Sequence, residues 1–266
     1  MLIIRPFQAA DLAAVYDICV RTAAAGGDAR GHYTTDALMG DLFAGPYVHL
    51  EPDLAFVLAD TGQPDAAPQP DAAPRPSGAQ GPGIAQQPGG APRPSGAQGP
   101  GIAQRPGGAP RPGAGSRPGG SSPPEVAGRA VGYVVGTADT AAFVRRYRSD
   151  WIPRLGDRYP VPPPPPRSPE QDMHALHHHP ERMLVPGLDG YPAHLHIDLL
   201  PDYQRQGHGR RLIERFLSAV PAPGVHVGMV TANVTARAFY DRLGFVELPV
   251  PDPGPLTYLG TRTGRG

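Results

Sequence analysis

Three near-copies of one Pro/Gly-rich segment stand in the middle of this chain, and they limit what the remainder can fold into. Ala73 begins APRPSGAQGPGIAQQPGG, Ala91 begins APRPSGAQGPGIAQRPGG, and Ala109 restarts as APRPGAGSRPGG, a period of 18 residues. Glycine does not recur strictly at every third position, which excludes a collagen triple helix. The copies carry too little apolar surface to stack as a solenoid. Such a tract cannot bury enough surface to offset its chain entropy, so residues 61–124 are expected to form a disordered insert. The apolar runs on either side, Leu54 to Ala59 and Ala130 to Gly136, read as strands. The insert would then join two strands, where added length raises the closure cost only slowly.

With 35 Gly and 37 Pro among 266 residues concentrated in that tract, the foldable remainder is about the size of one α/β domain. Twenty-four Arg and Lys balance 24 Asp and Glu. A neutral chain lacks the basic face that nucleic-acid binding requires. Every basic side chain is arginine, which fits a GC-rich coding background. Cys19 is the single cysteine, so no internal disulfide is available. It falls in an apolar helical pattern with Leu12, Val15 and Tyr16 and reads as a packed core thiol. The N-terminal residues show no leader pattern and no stretch is long and apolar enough to span a membrane, so a cytoplasmic location is expected.

The remaining pattern alternates strands and helices. Leu2 to Arg5 reads as a strand and Ala9 to Arg21 as an amphipathic helix, followed by a helix from Thr35 to Phe43 capped by Thr34 or Thr35. Thr140 to Trp151 is helical by the spacing of Phe143, Val144, Tyr147 and Trp151. Residues 160–190 read as a Pro/His-rich loop. His174, His177, His178 and His179 lie there between Pro-rich segments without cysteine, which favours a solvated loop over a zinc site, and no metal is expected. Ala193 to Leu200 is a strand by strict alternation. Leu195, Ile197 and Leu199 share one face; His194, His196 and Asp198 share the other. The fold class is α/β of the mixed α+β kind.

The chemistry follows that strand. Gln204-Arg205-Gln206-Gly207-His208-Gly209-Arg210-Arg211 leads into a helix with Leu212, Ile213, Phe216, Leu217 and Val220 on one stripe and Pro221 as its stop. Unpaired N–H groups at a helix start and its dipole favour an anion such as phosphate. Gly207 and Gly209 let the backbone approach closely, and Arg205, Arg210 and Arg211 add positive charge. A second strand, Val225 to Thr231, leads into Asn233-Val234-Thr235-Ala236-Arg237-Ala238-Phe239-Tyr240, with Gly244 placed as a helix-ending glycine.

Gln204-x-x-Gly207-x-Gly209 resembles the pyrophosphate signature of the GNAT acetyltransferases. Asn233-x-x-Ala236-x-x-Phe239-Tyr240 with Gly244-Phe245 resembles their second cofactor motif. The run Gly132 to Thr140, Trp151, and Tyr191 to Asp198 are similar to bacterial GNAT proteins related to the acetyltransferase-like C-terminal domain of eukaryotic O-GlcNAcase. The resemblance implies one GNAT domain over residues 1–266, with a central, mostly antiparallel sheet flanked by helices. It implies acetyl-CoA as cofactor and acetyl transfer to a primary amine on a small molecule or peptide, by direct attack in a ternary complex. A non-catalytic acetyl-CoA-binding module is the alternative. Backbone amides from Gln206 through His208 and Gly209 to Arg210 would hold the pyrophosphate, with Gln204 and Arg205 beside them. Ile197 and Leu199 would offer backbone groups to the pantetheine arm and acetyl carbonyl. Asn233, Ala236 and Phe239 would contact the cofactor, and Tyr240 would donate a proton to the departing sulfur. Asp198 and His196 are the candidate bases. By analogy Asp28, Arg30, Tyr33 and the segment Thr140 to Tyr159, Trp151 included, flank the acceptor. Many relatives pair as dimers, so the resemblance admits a homodimer, and the sequence leaves the oligomeric state open.

Overall fold

A computed structural model describes residues 1–24, 26–62 and 128–264. Apart from Thr61 and Gly62, the expected insert lies outside these residues. The described chain builds one seven-stranded sheet from β1 (Leu2–Pro6), β2 (Phe56–Asp60), β3 (Arg129–Thr137), β4 (Ala193–Leu199), β5 (Gly224–Val230), β6 (Val246–Glu247) and β7 (Leu256–Arg262), in the order β1-β2-β3-β4-β5-β7-β6. All neighbours are antiparallel except β4 and β5. The insert does join two paired strands: Asp60 of β2 stands opposite Arg129 of β3. Thr61 ties the hairpin end to the N-terminus, its N–H and its hydroxyl both donating to the Met1 carbonyl.

The β-branched and aromatic content of β2 to β5 suits strands buried on both faces. One face is covered by α1 (Leu12–Thr22), α2 (Ala37–Phe43) and α3 (Gly45–Leu50). Helix α1 buries Val15, Ile18 and Cys19, so the lone thiol is a core group. Helix α4 (Thr140–Arg146) passes through one wider π turn at Tyr147–Trp151 into α5 (Ile152–Leu155). Helix α6 (Pro169–His178) follows. The opposite face receives α7 (His208–Ala219), whose buried Leu212, Ile213 and Phe216 each contribute roughly 2–3 kcal/mol by leaving water. Gly136 is required here, because a Cβ at that position would stand 2.6 Å from the Phe216 ring. Helix α8 (Val234–Asp241) completes the set.

Two expectations need correction. Residues 160–190 are not a loop throughout. Ser168 accepts a hydrogen bond from the Gln171 N–H and starts α6. The histidines expected in solvent therefore sit on or beside a helix: His177 is fully buried with its Nδ1 on the Tyr147 hydroxyl at 3.1 Å. Second, Asp36 holds the cap position of α2 without a side-chain bond to the helix; of the two expected threonines, Thr35 accepts from the Ala37 N–H at 3.3 Å, whereas the Thr34 hydroxyl is engaged with Glu170 at 2.7 Å.

Asp41 ties the α2 side of the molecule together. Buried on α2, its carboxylate accepts from the Tyr16 hydroxyl (2.7 Å), the Tyr159 hydroxyl (2.6 Å) and Arg158 (2.7 Å), while its carbonyl accepts from the Trp151 indole (2.9 Å). Asp41→Asn turns acceptors into a donor facing donors. It is expected to cost about 2 kcal/mol, read as a lower urea midpoint at unchanged slope.

Candidate active site

Strands β4 and β5 pair only at Ala193 opposite Val225 and His194 opposite His226. Beyond that point they part, while β4 stays paired to β3 as far as Leu199. Which groups face the opening follows from the period of two along a strand. The Leu200 N–H donates to Val131 of β3, whereas the Leu199 carbonyl accepts the Gln204 side-chain amide at 2.8 Å. Leu199, and by the same parity Ile197, therefore turn their backbone groups away from β3, into the opening.

The opening continues as a groove of about 350 Å³ between β4, the loop after it and α8. Ile197, Leu199, Gly209, Ala236, Phe239 and Tyr240 give it apolar walls, and Arg205 and Arg210 give it positive charge. No carboxylate lines it among the described residues. The loop is shaped for close approach by an anion. Arg205 has φ 58° and Gly207 has φ 83°, so the backbone turns twice through the left-handed region before α7 begins. The first N–H groups of α7 have no carbonyl within the helix to bind. At Gly209 a Cβ would stand 3.2 Å from the Phe239 ring, narrowing the groove. A polar, positively charged end that narrows into an apolar slot along an unpaired strand edge fits an extended cofactor with a diphosphate at one end. On the far wall the Asn233 side chain caps α8 by accepting from the Ala236 N–H at 3.0 Å, and Gly244 ends that region at φ 78°. Gln206 is exposed, its amide donating to the Asp202 carbonyl, and His208 is half-buried at the start of α7.

Tyr240 lines the groove and is buried, its ring between Phe239 and Phe245 at 5.1 and 5.2 Å. Its hydroxyl has no protein partner among the described residues. Burial, and then the charge of Asp198, push its pKa upward, so the phenol keeps its proton.

The face bearing His194, His196 and Asp198 is not an open polar surface, because α1 to α3 cover it. Asp198 is buried and accepts from the Tyr133 hydroxyl at 2.5 Å. Burial pushes its carboxyl up to about 7, against hydrogen bonds from Tyr133 and Thr22 that favour the charge. His196 and His194 both place Nε2 on the Tyr47 hydroxyl, at 3.0 and 2.7 Å. Burial, then Arg182, then His226 push His196 down to about 3, so its ring is neutral near pH 7.

For Asp198 the folded pKa lies above the ordinary 3.8. Its contribution to stability is therefore fully present below the unfolded value and lost as pH rises through about 7. Asp198→Asn removes the titration, so the variant should gain on the parent as pH rises from 5 to 8. The slope is up to about 1.4 kcal/mol per pH unit between the two pKa values, checked by urea melts at each pH.

The acceptor residues expected by analogy are dispersed. Asp28 and Arg30 pair with each other in solvent at 2.7 Å. Tyr33 is half-buried beside the acidic Asp172 and Glu170. Trp151 is a core residue with its indole fixed to Asp41, so it does not line an acceptor path. Phe43, Tyr47, Arg182 and Tyr258 were not foreseen and stand near His196 and His226 instead.

Residues 182–247, which carry the loop and α8, match the family model described as Acetyltransferase (GNAT) domain. Over 98% of both chains, the structure is similar to that of SsHAT at 44% sequence identity with a TM-score of 0.71. It also matches yncA from Salmonella typhimurium, solved with its cofactor acetyl-CoA, over 98% of this chain and 94% of that one. At 14% identity and a TM-score of 0.43, that likeness is too remote to inform the site. No helix among the described residues is long and apolar enough to cross a membrane.

Proposed function

The chain belongs to the GNAT acetyltransferases, with acetyl-CoA as cofactor, and from that premise we propose that it acetylates a primary amine by direct attack in a ternary complex. The observation that carries this reading is the juxtaposition in one groove of the unpaired edge of β4, the doubly turned glycine loop and the Tyr240 hydroxyl. Acetyl-CoA supplies an acetyl group activated as a thioester.

In this reading, the backbone of Gln206 to Arg210 and the side chains of Arg205 and Arg210 hold the diphosphate. Backbone groups of Leu199 align the pantetheine arm as an added strand would. The Ile197 N–H polarises the acetyl carbonyl. Tyr240, kept protonated by burial, donates its hydroxyl proton to the departing sulfur. Asp198 stands between the groove residues Ile197 and Leu199 on β4 and its charge reaches Tyr240; with its carboxyl pushed up to about 7 by burial it is assigned to take the amine proton through water, for which His196, pushed down to about 3, is too weak a base. The intact tyrosine and groove speak for an enzyme rather than a binding module.

The test is release of CoA thiol over a panel of primary amines as a function of pH. The rate should rise with pH through about 7, and Asp198→Asn should lose that limb along with roughly 10²-fold in kcat. A limb that persists in the variant removes Asp198 from the role. Thiol release dependent on no amine removes the transfer reading itself.

A further inference from the structure

The turn Pro180–Met183 lies over the C-terminal end of α2 and is fixed from several sides. Pro180 is buried, the Tyr47 hydroxyl contacts the Met183 sulfur at 3.8 Å, and Arg148 grips Glu181 through Nε and Nη2, each at 2.5 Å. The only acid of the turn is thus committed to Arg148. Arg182 is left exposed with no carboxylate partner among the described residues. Its Nε reaches the Leu176 carbonyl at 3.4 Å and its guanidinium carbon stands 6.0 Å from the Phe43 ring centre.

Beneath Arg182 is the face of β4, β5 and β7 that carries His196, His226 and Tyr258. Phe43 and His196 are in ring contact at 6.2 Å, and His226 and Tyr258 at 6.5 Å. The positive charge of Arg182 acts on Tyr47 from α3, on His194 and His196 from β4, and on Tyr258 from β7, in each case after the larger influence of burial. No carboxylate acts on any of these four. His196 immediately precedes Ile197, whose backbone faces the cofactor groove. A guanidinium without a carboxylate partner among the described residues therefore stands, through Phe43, beside the strand on which the thioester would lie.

We infer that Arg182 receives a carboxylate carried by the acceptor, which makes the acceptor class a primary amine bearing a carboxylate. This rests on the acetyl transfer proposed above. Arg182 offers one guanidinium fork, which matches the two oxygens of a carboxylate. A lysine-rich peptide would bring positive charge against Arg182 and is disfavoured.

Matched amines separate the outcomes: 4-aminobutyrate against propylamine, L-phenylalanine against phenethylamine, and phosphoethanolamine as the doubly charged control. With the full-length protein and acetyl-CoA, the carboxylated member of a pair should be acetylated with the lower KM. Arg182→Ala should raise that KM roughly 10- to 100-fold with kcat changed far less, and leave the decarboxylated amine unaffected. Equal effects of Arg182→Ala on both members, preference for the decarboxylated amine, or preference for phosphoethanolamine would each overturn the inference. Because turnover itself is at issue, saturation-transfer NMR of the same amines on the CoA-loaded protein is run in parallel. Arg182-dependent binding of a carboxylated amine without thiol release upholds the anchor and sinks the transfer reading. Acetyl-CoA binding with no carboxylated amine bound sinks the anchor.

Discussion

Gly209→Glu is expected to weaken acetyl-CoA binding by at least about 10³-fold while leaving the protein folded. The second position of α7 lines the groove, where even a Cβ would stand 3.2 Å from the Phe239 ring. A carboxylate added there takes up the N–H groups and the positive charge of Arg205 and Arg210 that the diphosphate needs. The fold should persist, because the favourable interaction of an acidic residue in the first turn with the helix dipole offsets part of the crowding against Phe239. Titration calorimetry with acetyl-CoA on parent and variant checks this. Equal affinity in both would mean that the cofactor does not use this loop.

Tyr240→Phe separates chemistry from binding. The ring remains packed between Phe239 and Phe245, so the affinity for acetyl-CoA should be unchanged. The rate of thiol release at saturating substrates should fall by roughly 10²- to 10³-fold, the range for loss of a positioned proton donor. The phenol is suited to this because burial and the Asp198 charge both raise its pKa, so the proton is present across the working pH range. An unchanged rate would take the tyrosine out of the reaction, and a loss of affinity would make it a wall of the groove only.

The parts of this molecule governed by local rules were legible in the sequence. Strict alternation announced β4, glycine spacing announced the loop, and Asn233 with Gly244 bracketed α8. What escaped was decided by tertiary contact. Helix α3 was hidden because Gly45-Pro46 looks like a break, although Pro is well placed in the first turn of a helix. Strand β7 was missed because Leu256 to Arg262 gains its order from pairing with β5 along its whole length. The alternation of His194, His196 and Asp198 told which residues share a face, but not that three helices cover it. The cap Ser168, with Pro169 and Gln171 behind it, was a local signal for α6 obscured by the surrounding prolines. Arg182 carried no signal, since its meaning depends on Glu181 being engaged elsewhere.

The hairpin that brackets the repeat has its last pair at Asp60 and Arg129, and Thr61 is moored to Met1. The two strands that flank the repeat are therefore paired to each other up to its edges. Tandem copies are prone to be gained or lost by slippage during replication, and here such an event leaves every paired strand and every groove residue in register. Loss of one 18-residue copy alters the cost of closing the hairpin by only a few tenths of a kcal/mol, on the order expected from logarithmic loop scaling. A change in copy number is therefore expected to leave the β2–β3 register and the acetyl-CoA groove unaltered, and deletion of one copy followed by titration with acetyl-CoA checks this.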